Sequence, residues 1–302
     1  RSHCAVAAVR AARGDHRGDW NETAVIRGVI GAAVIAAAVW QPLRPGLWFR
    51  ESRMAASGPL VPINAVAIRV SPRGTRFSLE QTVSADGERR AWTIDSIPHA
   101  AMIAVNAGQF QGSTPWGWVV RDGIELQPPG TGSVAMAFVV DSAGVPSLVE
   151  PGEMPAVRGH VRLAFQSYPA LLVGDGRIPR ELEAPGRGVD LEHRDSRLAL
   201  GILADGSIII ALTRFTGLGG GTGGTLPWGP TVGEMAAYMR SLGCRRAVLL
   251  DGGVSGQMAV RNRDGTLRRW PNWRQVPLGL VVSSLDEHSP AAATSSSTSR
   301  AP

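Results

Sequence analysis

Lysine is absent from this sequence of 302 residues, and all 31 basic residues are arginine. The absence excludes the phosphate-binding P-loop motif G-x-x-x-x-G-K-[ST], whose lysine reaches the phosphates of a nucleotide. Cysteine is nearly absent as well, since Cys4 and Cys244 are the only two. One pair so far apart is not a disulfide framework, and no spacing of His, Cys, Asp and Glu matches a standard zinc motif.

An excess of one charge is also missing from the body of the chain. Residues 1–50 carry seven Arg and three acidic residues, whereas the remaining 24 Arg nearly balance 22 acidic residues. A nucleic-acid-binding domain needs a basic stripe on its folded surface. The charge balance therefore predicts no nucleic-acid partner.

The N-terminal region has an apolar run that is short for a membrane span. Gly28–Trp40 contains 13 residues, fewer than the roughly 20 usual for a spanning helix. The basic arm of residues 1–27 precedes it, so residues 28–40 are typical of a signal-peptide h-region or a short signal anchor. An amphipathic or disordered extension is the alternative. Because the basic flank stays in the cytoplasm, the rest is expected to be extracytoplasmic, either membrane-anchored or secreted.

The composition divides the remainder of the chain into three parts. Residues 41–62 are rich in Pro, Gly and Arg, which predicts a linker. Residues 63–285 are expected to form the folded domain. Residues 286–302 are mainly small polar residues and Pro, which cannot bury a core, and this predicts a disordered tail.

Patterns of alternation and turn residues indicate a β-rich domain. Apolar and polar residues alternate from Ala65 to Val70 and again from Phe77 to Val83. Asp-Gly between apolar runs is a strong hairpin signal, and five such pairs occur, beginning at Asp86, Asp122, Asp175, Asp205 and Asp264. We therefore predict an α+β fold, a single β-rich domain with a mixed or antiparallel sheet and a few helices.

One helix has clear boundaries in the sequence. Thr231 and Glu234 have the spacing of a capping box at a helix start, and Gly243 marks its end. A second, shorter helix is predicted over residues 94–100. Glu234 lies near a Gly-rich stretch, but its position in the capping box already accounts for it.

Two strand ends carry polar residues that chemistry could use. The apolar strand 247–250 leads into Asp251-Gly252-Gly253, with Ser255 close behind, and a second apolar strand ends at Asn106. Neighbouring strand ends would place Asn106 and Asp251 on one rim of a sheet. A tight turn with a solvated Asp251, and a turn role for Asn106, are the alternatives.

Three further features could bind a substrate. Arg194 and Arg197 precede an apolar strand, and an arginine fork suits a phosphate, although a surface ion pair with Asp195 or Glu192 is equally open. The Gly-rich loop 216–225 could cradle an anion or be a plain flexible loop. Trp116 and Trp228 stand among Gly and Pro and are candidates for stacking against sugar rings.

Five stretches in order resemble the phosphodiester glycosidase family. They are V-N-A-G-Q-F (105–110), Y-P-A-L-L-V-G-D-G (168–176), R-L-A-L-G-I-L-A-D-G (197–206), T-V-G-E-M-A-A-Y-M-R-S-L-G-C (231–244) and A-V-L-L-D-G-G-V-S-G-Q-M (247–258). The family includes an enzyme that removes N-acetylglucosamine from a phosphodiester-linked sugar, and bacterial proteins called exopolysaccharide biosynthesis proteins. The chain departs from the family pattern at Val254, Gly256 and Gln109, and these departures put the substrate in question.

The resemblance implies hydrolysis of the bond between a sugar C1 and a phosphodiester oxygen in cell-envelope or exopolysaccharide material. It implies catalytic roles for Asp251, Arg197 and Asn106. Substrate contacts are expected from Gly108, Gln109, Arg194, Gly252, Gly253, Ser255 and Trp228.

Two other functions stay open at this point. Asp251 and Asn106 could hold Ca²⁺ or Mg²⁺, which prefer oxygen ligands, and serve a metal-dependent phosphodiesterase. Alternatively, the chain could be a non-catalytic module that binds envelope polysaccharide through its tryptophans. No cofactor other than such a divalent cation is expected, and the predicted partners are the phosphodiester or polysaccharide and, through the N-terminal segment, the membrane.

Overall fold

The computed structural model describes residues 39–54, 63–83, 89–132, 134–215 and 229–285. These residues belong to one unit of the chain, which spans residues 38–302. Several features predicted from the sequence lie outside the described residues: the arm 1–27, nearly all of the apolar segment 28–40, the Gly-rich loop 216–225, Trp228 and the tail 286–302. Among the described residues, no helix is both long and apolar enough to cross a membrane.

The largest sheet has seven strands. In spatial order they are β1 (Gln41–Arg44), β2 (Leu47–Met54), β3 (Ile63–Val70), β17 (Ile208–Phe215), β16 (Leu198–Leu203), β18 (Cys244–Leu250) and β15 (Ala170–Leu172). The central strands β3, β17 and β16 are almost continuous apolar runs because both of their faces are covered by other parts of the protein.

Two five-stranded sheets complete the architecture. One has the order β11 (Ile124–Gln127), β10 (Val119–Arg121), β14 (Val161–Ser167), β12 (Met136–Asp141) and β13 (Pro146–Val149). The other has the order β20 (Leu267–Trp270), β19 (Met258–Arg261), β7 (Ala101–Asn106), β21 (Gly279–Ser284) and β4 (Thr75–Glu80). Two small hairpins pair β5 (Thr82–Val83) with β6 (Arg89–Arg90) and β8 (Phe110–Gln111) with β9 (Thr114–Pro115).

A shared core joins the three large sheets. Phe77 of β4 meets Phe138 of β12 edge to face, with ring centroids 5.7 Å apart. Phe49 of β2 stacks on Trp270 of β20 at 6.1 Å. Aromatic side chains bury large apolar areas, so these contacts tie each sheet to its neighbours.

The main helix, α2 (Val232–Ser241), covers the opposite face of the large sheet. It begins as predicted, since the Thr231 hydroxyl accepts a hydrogen bond from the Glu234 N–H and the Glu234 carboxylate accepts one from the Thr231 N–H. Met235 and Met239 are buried against the sheet. The chain then turns at Gly243, whose φ of 88° is unfavourable for other residues, and enters β18. The other described α-helix is the short α1 (Met154–Val157).

Three of the predicted Asp-Gly hairpins are confirmed. Asp122-Gly123 joins β10 to β11, Asp205-Gly206 joins β16 to β17, and Asp264-Gly265 joins β19 to β20. Asp175-Gly176 lies in a tight turn closed by an isolated bridge between Val173 and Arg177. The pair at Asp86 lies outside the described residues.

The predicted linker at residues 41–62 is wrong over most of its length. Residues 41–54 form the hairpin of β1 and β2, and β2 pairs with β3 over its whole length. Two of the residues that suggested a linker, Pro45 and Gly46, form the turn between β1 and β2, while Leu47 and Phe49 are buried on alternate positions. Residues 55–62 lie outside the described residues.

Two other predictions need adjustment. The predicted helix over residues 94–100 is only a 3₁₀ turn, Ile94–Ser96, capped by the Thr93 hydroxyl. The β-rich domain with few helices is confirmed, but the described strands pair only in antiparallel fashion and are divided among several sheets. The fold is therefore mostly β.

Candidate active site

Asp251 lies directly after β18, where the chain passes close to the start of β16. The Gly253 N–H donates to the Ser196 carbonyl at 2.7 Å. A Cβ atom on Gly252 would overlap that same carbonyl oxygen, and a Cβ on Gly253 would overlap the Asp195 carboxylate. The two glycines are therefore required because this loop lies against the segment that carries Asp195 and Arg197.

The Asp251 carboxyl group is largely buried. Burial raises its pKa above the ordinary value, and the like charge of Asp195 acts in the same direction, whereas the hydrogen bond from Ser255 and the positive charge of Arg274 act against it. These four influences are of the kinds that tune catalytic carboxyl groups. Asp251 is thus held where its charge depends strongly on its neighbours.

Asn106, at the end of β7, lies beside Asp251 as the sequence predicted. Its side chain is only 1% exposed, and both of its polar atoms are used within the protein. The Nδ2 atom donates to the Asp251 carbonyl at 2.8 Å, and the Oδ1 atom accepts from the Gln257 N–H at 3.0 Å. Its amide therefore fixes the backbone on both sides of the Asp251 loop, and the catalytic role expected for Asn106 stays a prediction.

Arg197 enters the site from the start of β16 and is 9% exposed. Its Nε atom donates to the Pro230 carbonyl at 3.2 Å and its Nη2 atom to the His193 carbonyl at 2.6 Å. Within the described residues its Nη1 atom has no hydrogen-bond partner. Burial lowers the pKa of the guanidinium, whereas the charges of Asp195 and Asp190 raise it. The geometry leaves the pre-oriented Nη1 amino group of Arg197 for a ligand.

Arg194, three residues earlier in the chain, makes different contacts. Its Nη1 and Nη2 atoms bind the Glu234 carboxylate at 3.0 and 3.1 Å, and Nη1 also donates to the Gly229 carbonyl. Glu234 in turn closes the capping box of α2. The Arg194 fork thus holds the start of the helix, and its expected contact with substrate stays a prediction.

A cavity of about 380 Å³, open to solvent, adjoins Asp251. It contains most of the predicted side chains together with several that the sequence did not single out. Its lining consists of Gln109, Tyr168, Pro169, Gly188, Val189, Asp190, His193, Asp195, Arg197, Val232, Leu249, Leu250, Asp251, Gly252, Gly253, Val254, Ser255 and Arg274. Gly108 lies behind it, where its carbonyl accepts from the Asp251 N–H at 3.2 Å.

Asp195 and His193 form a second polar group in this cavity. The His193 Nε2 atom lies 3.6 Å from the Asp195 Oδ2 atom, and the Asp195 Oδ1 atom accepts from the Ser196 N–H at 2.7 Å. From the sequence, Asp195 was considered only as an ion-pair partner, although it lies two residues before Arg197. Alternation in an extended segment places residues i and i+2 on one side, so this spacing was a usable signal.

Arg274 was not predicted at all. It lies in the segment between β20 and β21, and its guanidinium sits 4.9 Å from the centroid of the Phe110 ring. Its backbone N–H donates to the Val254 carbonyl at 3.2 Å. No local pattern marks this arginine, because only the folding of β20 and β21 around β7 brings it to the Asp251 loop.

The residues that are described contain no group of three or more His, Cys, Asp or Glu side chains suited to a metal ion. The sequence suggested that Asp251 and Asn106 together could hold Ca²⁺ or Mg²⁺. The Asn106 oxygen accepts from the Gln257 N–H, and a divalent cation at Asp251 stays a prediction.

Comparison with known proteins gives a consistent picture. Residues 99–283, more than half of the chain, match the family model described as Phosphodiester glycosidase. The match includes Asn106, Asp195, Arg197, Asp251 and Arg274. No curated protein sequence matches the chain.

Solved structures share the fold at low sequence identity. One is the zebrafish N-acetylglucosamine-1-phosphodiester alpha-N-acetylglucosaminidase catalytic domain auto-inhibited by pro-peptide, with a TM-score of 0.61 and 18% identity over 82% of this chain and 86% of that chain. Another is a hypothetical protein from Synechocystis, with a TM-score of 0.51 and 16% identity over 82% of this chain and 64% of that one.

Proposed function

The chain belongs to the phosphodiester glycosidase family, and on this premise we propose that it hydrolyses the bond between a sugar C1 and a phosphodiester oxygen. In this reaction the water oxygen forms a bond to C1 while the C1–O bond to phosphate breaks. The bonding electron pair stays with the phosphate oxygen, and the proton of water leaves to a carboxylate or to solvent. The residues around the Asp251 cavity are suited to stabilise both the sugar and the phosphate as this bond breaks.

One observation carries the proposal. A carboxylate and two guanidinium groups, those of Asp251, Arg197 and Arg274, line the same cavity. A glycosidic bond to phosphate develops positive charge on the sugar and negative charge on the phosphate as it breaks. Groups of opposite charge held in advance on the two sides of that bond are what such a transition state requires.

The two arginines are suited to the leaving phosphate. Arg197 is already fixed by its two backbone acceptors, so a phosphate bound at its Nη1 atom orders no further side chain. Arg274 rests on Phe110 and adds a second positive charge. Charge-assisted hydrogen bonds of guanidinium to phosphate are among the strongest in proteins.

Asp251 is the carboxylate assigned to the sugar. A phosphate monoester is a weak base and leaves with little help from a general acid, so one carboxylate suffices to activate water or to stabilise the cationic sugar. Asp195 is close enough to raise the pKa of Asp251. It thereby makes Asp251 a better proton acceptor than an isolated carboxylate would be.

The substrate is proposed to be cell-envelope or exopolysaccharide material outside the cytoplasm. The basic arm and the apolar segment 28–40 support export. N-acetylglucosamine-1-phosphodiesters are the first compounds to test, since the name of the zebrafish relative specifies that sugar. Val254, where the chain departs from the family pattern, lines the cavity, so a different sugar is a natural second choice.

The test is product analysis on a set of glycosyl-1-phosphodiesters, with and without a chelator. We expect free sugar plus a phosphomonoester, retained in chelator, and a loss of at least about 100-fold in kcat/KM for Asp251→Asn and for Arg197→Ala. Asp175→Asn and Arg263→Ala, which change exposed residues away from the cavity, should behave as wild type.

Other outcomes identify the competing functions. Release of a sugar phosphate that stops in chelator would indicate a metal-dependent phosphodiesterase. Glycan binding without turnover, unaffected by Asp251→Asn, would indicate a polysaccharide-binding module. Wild-type rates in both cavity variants would refute the assignment of Asp251 and Arg197.

A further inference from the structure

The chain between β20 and β21 is fastened to the loop that follows Asp251. The Nδ2 atom of Asn272 donates to the Gly253 carbonyl at 2.6 Å and to the Gly256 carbonyl at 3.1 Å. These two carbonyls stand at the two ends of a single 3₁₀ turn. One amide group therefore spans the whole turn and joins it to segment 271–274.

Asn272 uses its side chain entirely within the protein. An asparagine amide carries two N–H donors and one acceptor oxygen. Both donors go to the two carbonyls of the turn, and the Oδ1 atom accepts from the Trp273 N–H at 2.9 Å. Asn272 is also absent from the lining of the Asp251 cavity. Any influence of Asn272 on the reaction must therefore pass through the segments that it joins.

Arg274, two residues further on, is the residue that this connection places. Its N–H donates to the Val254 carbonyl at 3.2 Å, and its carbonyl accepts from the Gln257 Nε2 atom at 3.1 Å. Gln257 is 1% exposed, and its Oε1 atom accepts from the Ile94 N–H at 3.0 Å. The backbone of Arg274 is thus held on both sides by the chain that follows Asp251.

Arg214, near the end of β17, bonds to the same two segments. Its Nη2 atom donates to the carbonyls of Gly256 and Pro271. Burial lowers its pKa to about 10, so the guanidinium keeps its charge at neutral pH, and charge-assisted hydrogen bonds are stronger than neutral ones. The large sheet therefore supports the junction at which Asn272 acts.

The position of segment 271–274 decides where the Arg274 guanidinium stands. That guanidinium lines the cavity and lies over Phe110, and its charge is close enough to Asp251 to lower the pKa of the carboxyl group. In the proposed reaction Arg274 stabilises the leaving phosphate while Asp251 serves the sugar. A displacement of about 1 Å between groups that act together can cost about 100-fold in rate.

We propose that Asn272 is a positioning residue of this site, which sets the guanidinium of Arg274 against Asp251 by clamping the turn between Gly253 and Gly256. This inference rests on the proposed function. Asn272 touches neither the substrate nor the reacting atoms, so its effect on the reaction depends on the presence of Arg274.

A double-mutant cycle tests this dependence. The value of kcat/KM is measured on a cleaved glycosyl-1-phosphodiester for wild type, Asn272→Ala, Arg274→Ala and the double variant. We expect Asn272→Ala to lower kcat/KM at least about tenfold in the wild-type background, and less than about twofold where Arg274 is already alanine. Equal factors in the two backgrounds would overturn the inference.

Two further variants sharpen the cycle. Asn272→Asp keeps the shape of the side chain but replaces the N–H donors with an acceptor oxygen, so it should lose as much activity as Asn272→Ala. A wild-type rate in Asn272→Asp would contradict the clamping role. Asn262→Ala is the matched control and should keep the wild-type rate, since Asn262 bonds to Thr266 in an exposed hairpin and lines no part of the cavity.

An NMR titration with inorganic phosphate separates this inference from the proposed function, because it needs no turnover and reports on folded protein alone. The Nε–H signal of Arg274 is identified by its loss in Arg274→Ala. We expect phosphate to shift this signal in wild type, and the midpoint concentration to rise about tenfold in Asn272→Ala but not in Asn262→Ala.

That rise supports the positioning role of Asn272 even if no diester is hydrolysed. Hydrolysis of diesters with the same midpoint in wild type and in Asn272→Ala would support the hydrolase and reject the positioning role. An Arg274 signal that phosphate does not move in wild type would reject it as well.

Discussion

At the scale of single residues, the candidate site places an ionisable carboxyl group where its charge is unfavourable. Asp251 is largely buried and shares its cavity with Asp195, and both circumstances raise its pKa. A solvent-exposed aspartate would destabilise the folded protein less, but its carboxylate would be a weaker base. Active sites commonly keep such groups at a cost in stability.

Replacing Asp251 with Asn should therefore stabilise the protein at neutral pH. Because the folded-state pKa exceeds the unfolded value, the folded protein binds the proton more tightly, and the contribution to stability is complete below the unfolded pKa and is lost as pH rises through the folded pKa. The variant, which carries no charge here, avoids that loss. We expect its free energy of unfolding at pH 7 to exceed that of wild type by roughly 0.5–2 kcal/mol.

Thermal unfolding from pH 3 to pH 8 measures this effect. The gap between Asp251→Asn and wild type should close towards low pH. In a background that also carries Asp195→Asn, the gap should be smaller and should stop widening at a lower pH, since removing the like charge lowers the folded-state pKa of Asp251. A gap that is constant with pH would show that the ionisation of Asp251 is not its source.

At the scale of elements, the site depends on how the ends of β7 and β18 are joined. Asn106 ends the apolar strand β7, and Asp251 directly follows the apolar end of β18. That pattern allowed the two residues to be predicted as neighbours from sequence. The pattern could not reveal which atoms meet. Asn106 is buried beneath the loop, bonded to the Asp251 carbonyl and the Gln257 N–H, because register and twist decide which side chain lines a cavity and which lies behind it.

Asn106→Ala should then act first on stability. It leaves the Asp251 carbonyl and the Gln257 N–H without partners in a buried site, and each such group costs about 1–3 kcal/mol. We expect a loss of about 2–6 kcal/mol in the free energy of unfolding, measured by denaturant titration. Activity should also fall, because the loop that carries Asp251 is no longer fixed.

Asn262→Ala is a suitable comparison. Asn262 bonds to Thr266 within an exposed hairpin, so its loss should cost well under 1 kcal/mol. If Asn106→Ala kept wild-type stability and lost only activity, the result would contradict this prediction and favour the catalytic role that the family resemblance implies.

At the scale of the whole molecule, the sequence reveals features that depend on residues close in the chain, but not those that depend on long-range packing. The capping box of α2, the hairpin at Asp205-Gly206 and the strand leading to Asp251 depend on residues close in the chain, and all were predicted. Arg274 reaches the site only because three sheets share one core. The sequence marked Arg197, and its spacing could also have marked Asp195. That both lie near Asp251 could not be predicted, since this depends on the pairing of β16 with β18.

The N-terminal hairpin is the clearest failure at this scale and gives the last prediction. A fragment of residues 57–285, which the predicted linker would recommend, removes β1 and β2. A fragment of residues 39–285 keeps them. In the shorter fragment β3 becomes an unpaired edge, and strand edges of this kind promote association between chains.

The energy at stake is large compared with the stability of a domain. Leu47, Phe49 and Met54 are buried, and burying each such side chain contributes roughly 1.5–3 kcal/mol, so the loss approaches the 5–15 kcal/mol of a typical domain. We expect the 39–285 fragment to unfold in one cooperative transition, and the 57–285 fragment to aggregate or to show none. Phe49→Ala in the longer fragment should cost about 3–5 kcal/mol. Identical melting of the two fragments would contradict this prediction, because it would mean that the core is complete without β1 and β2.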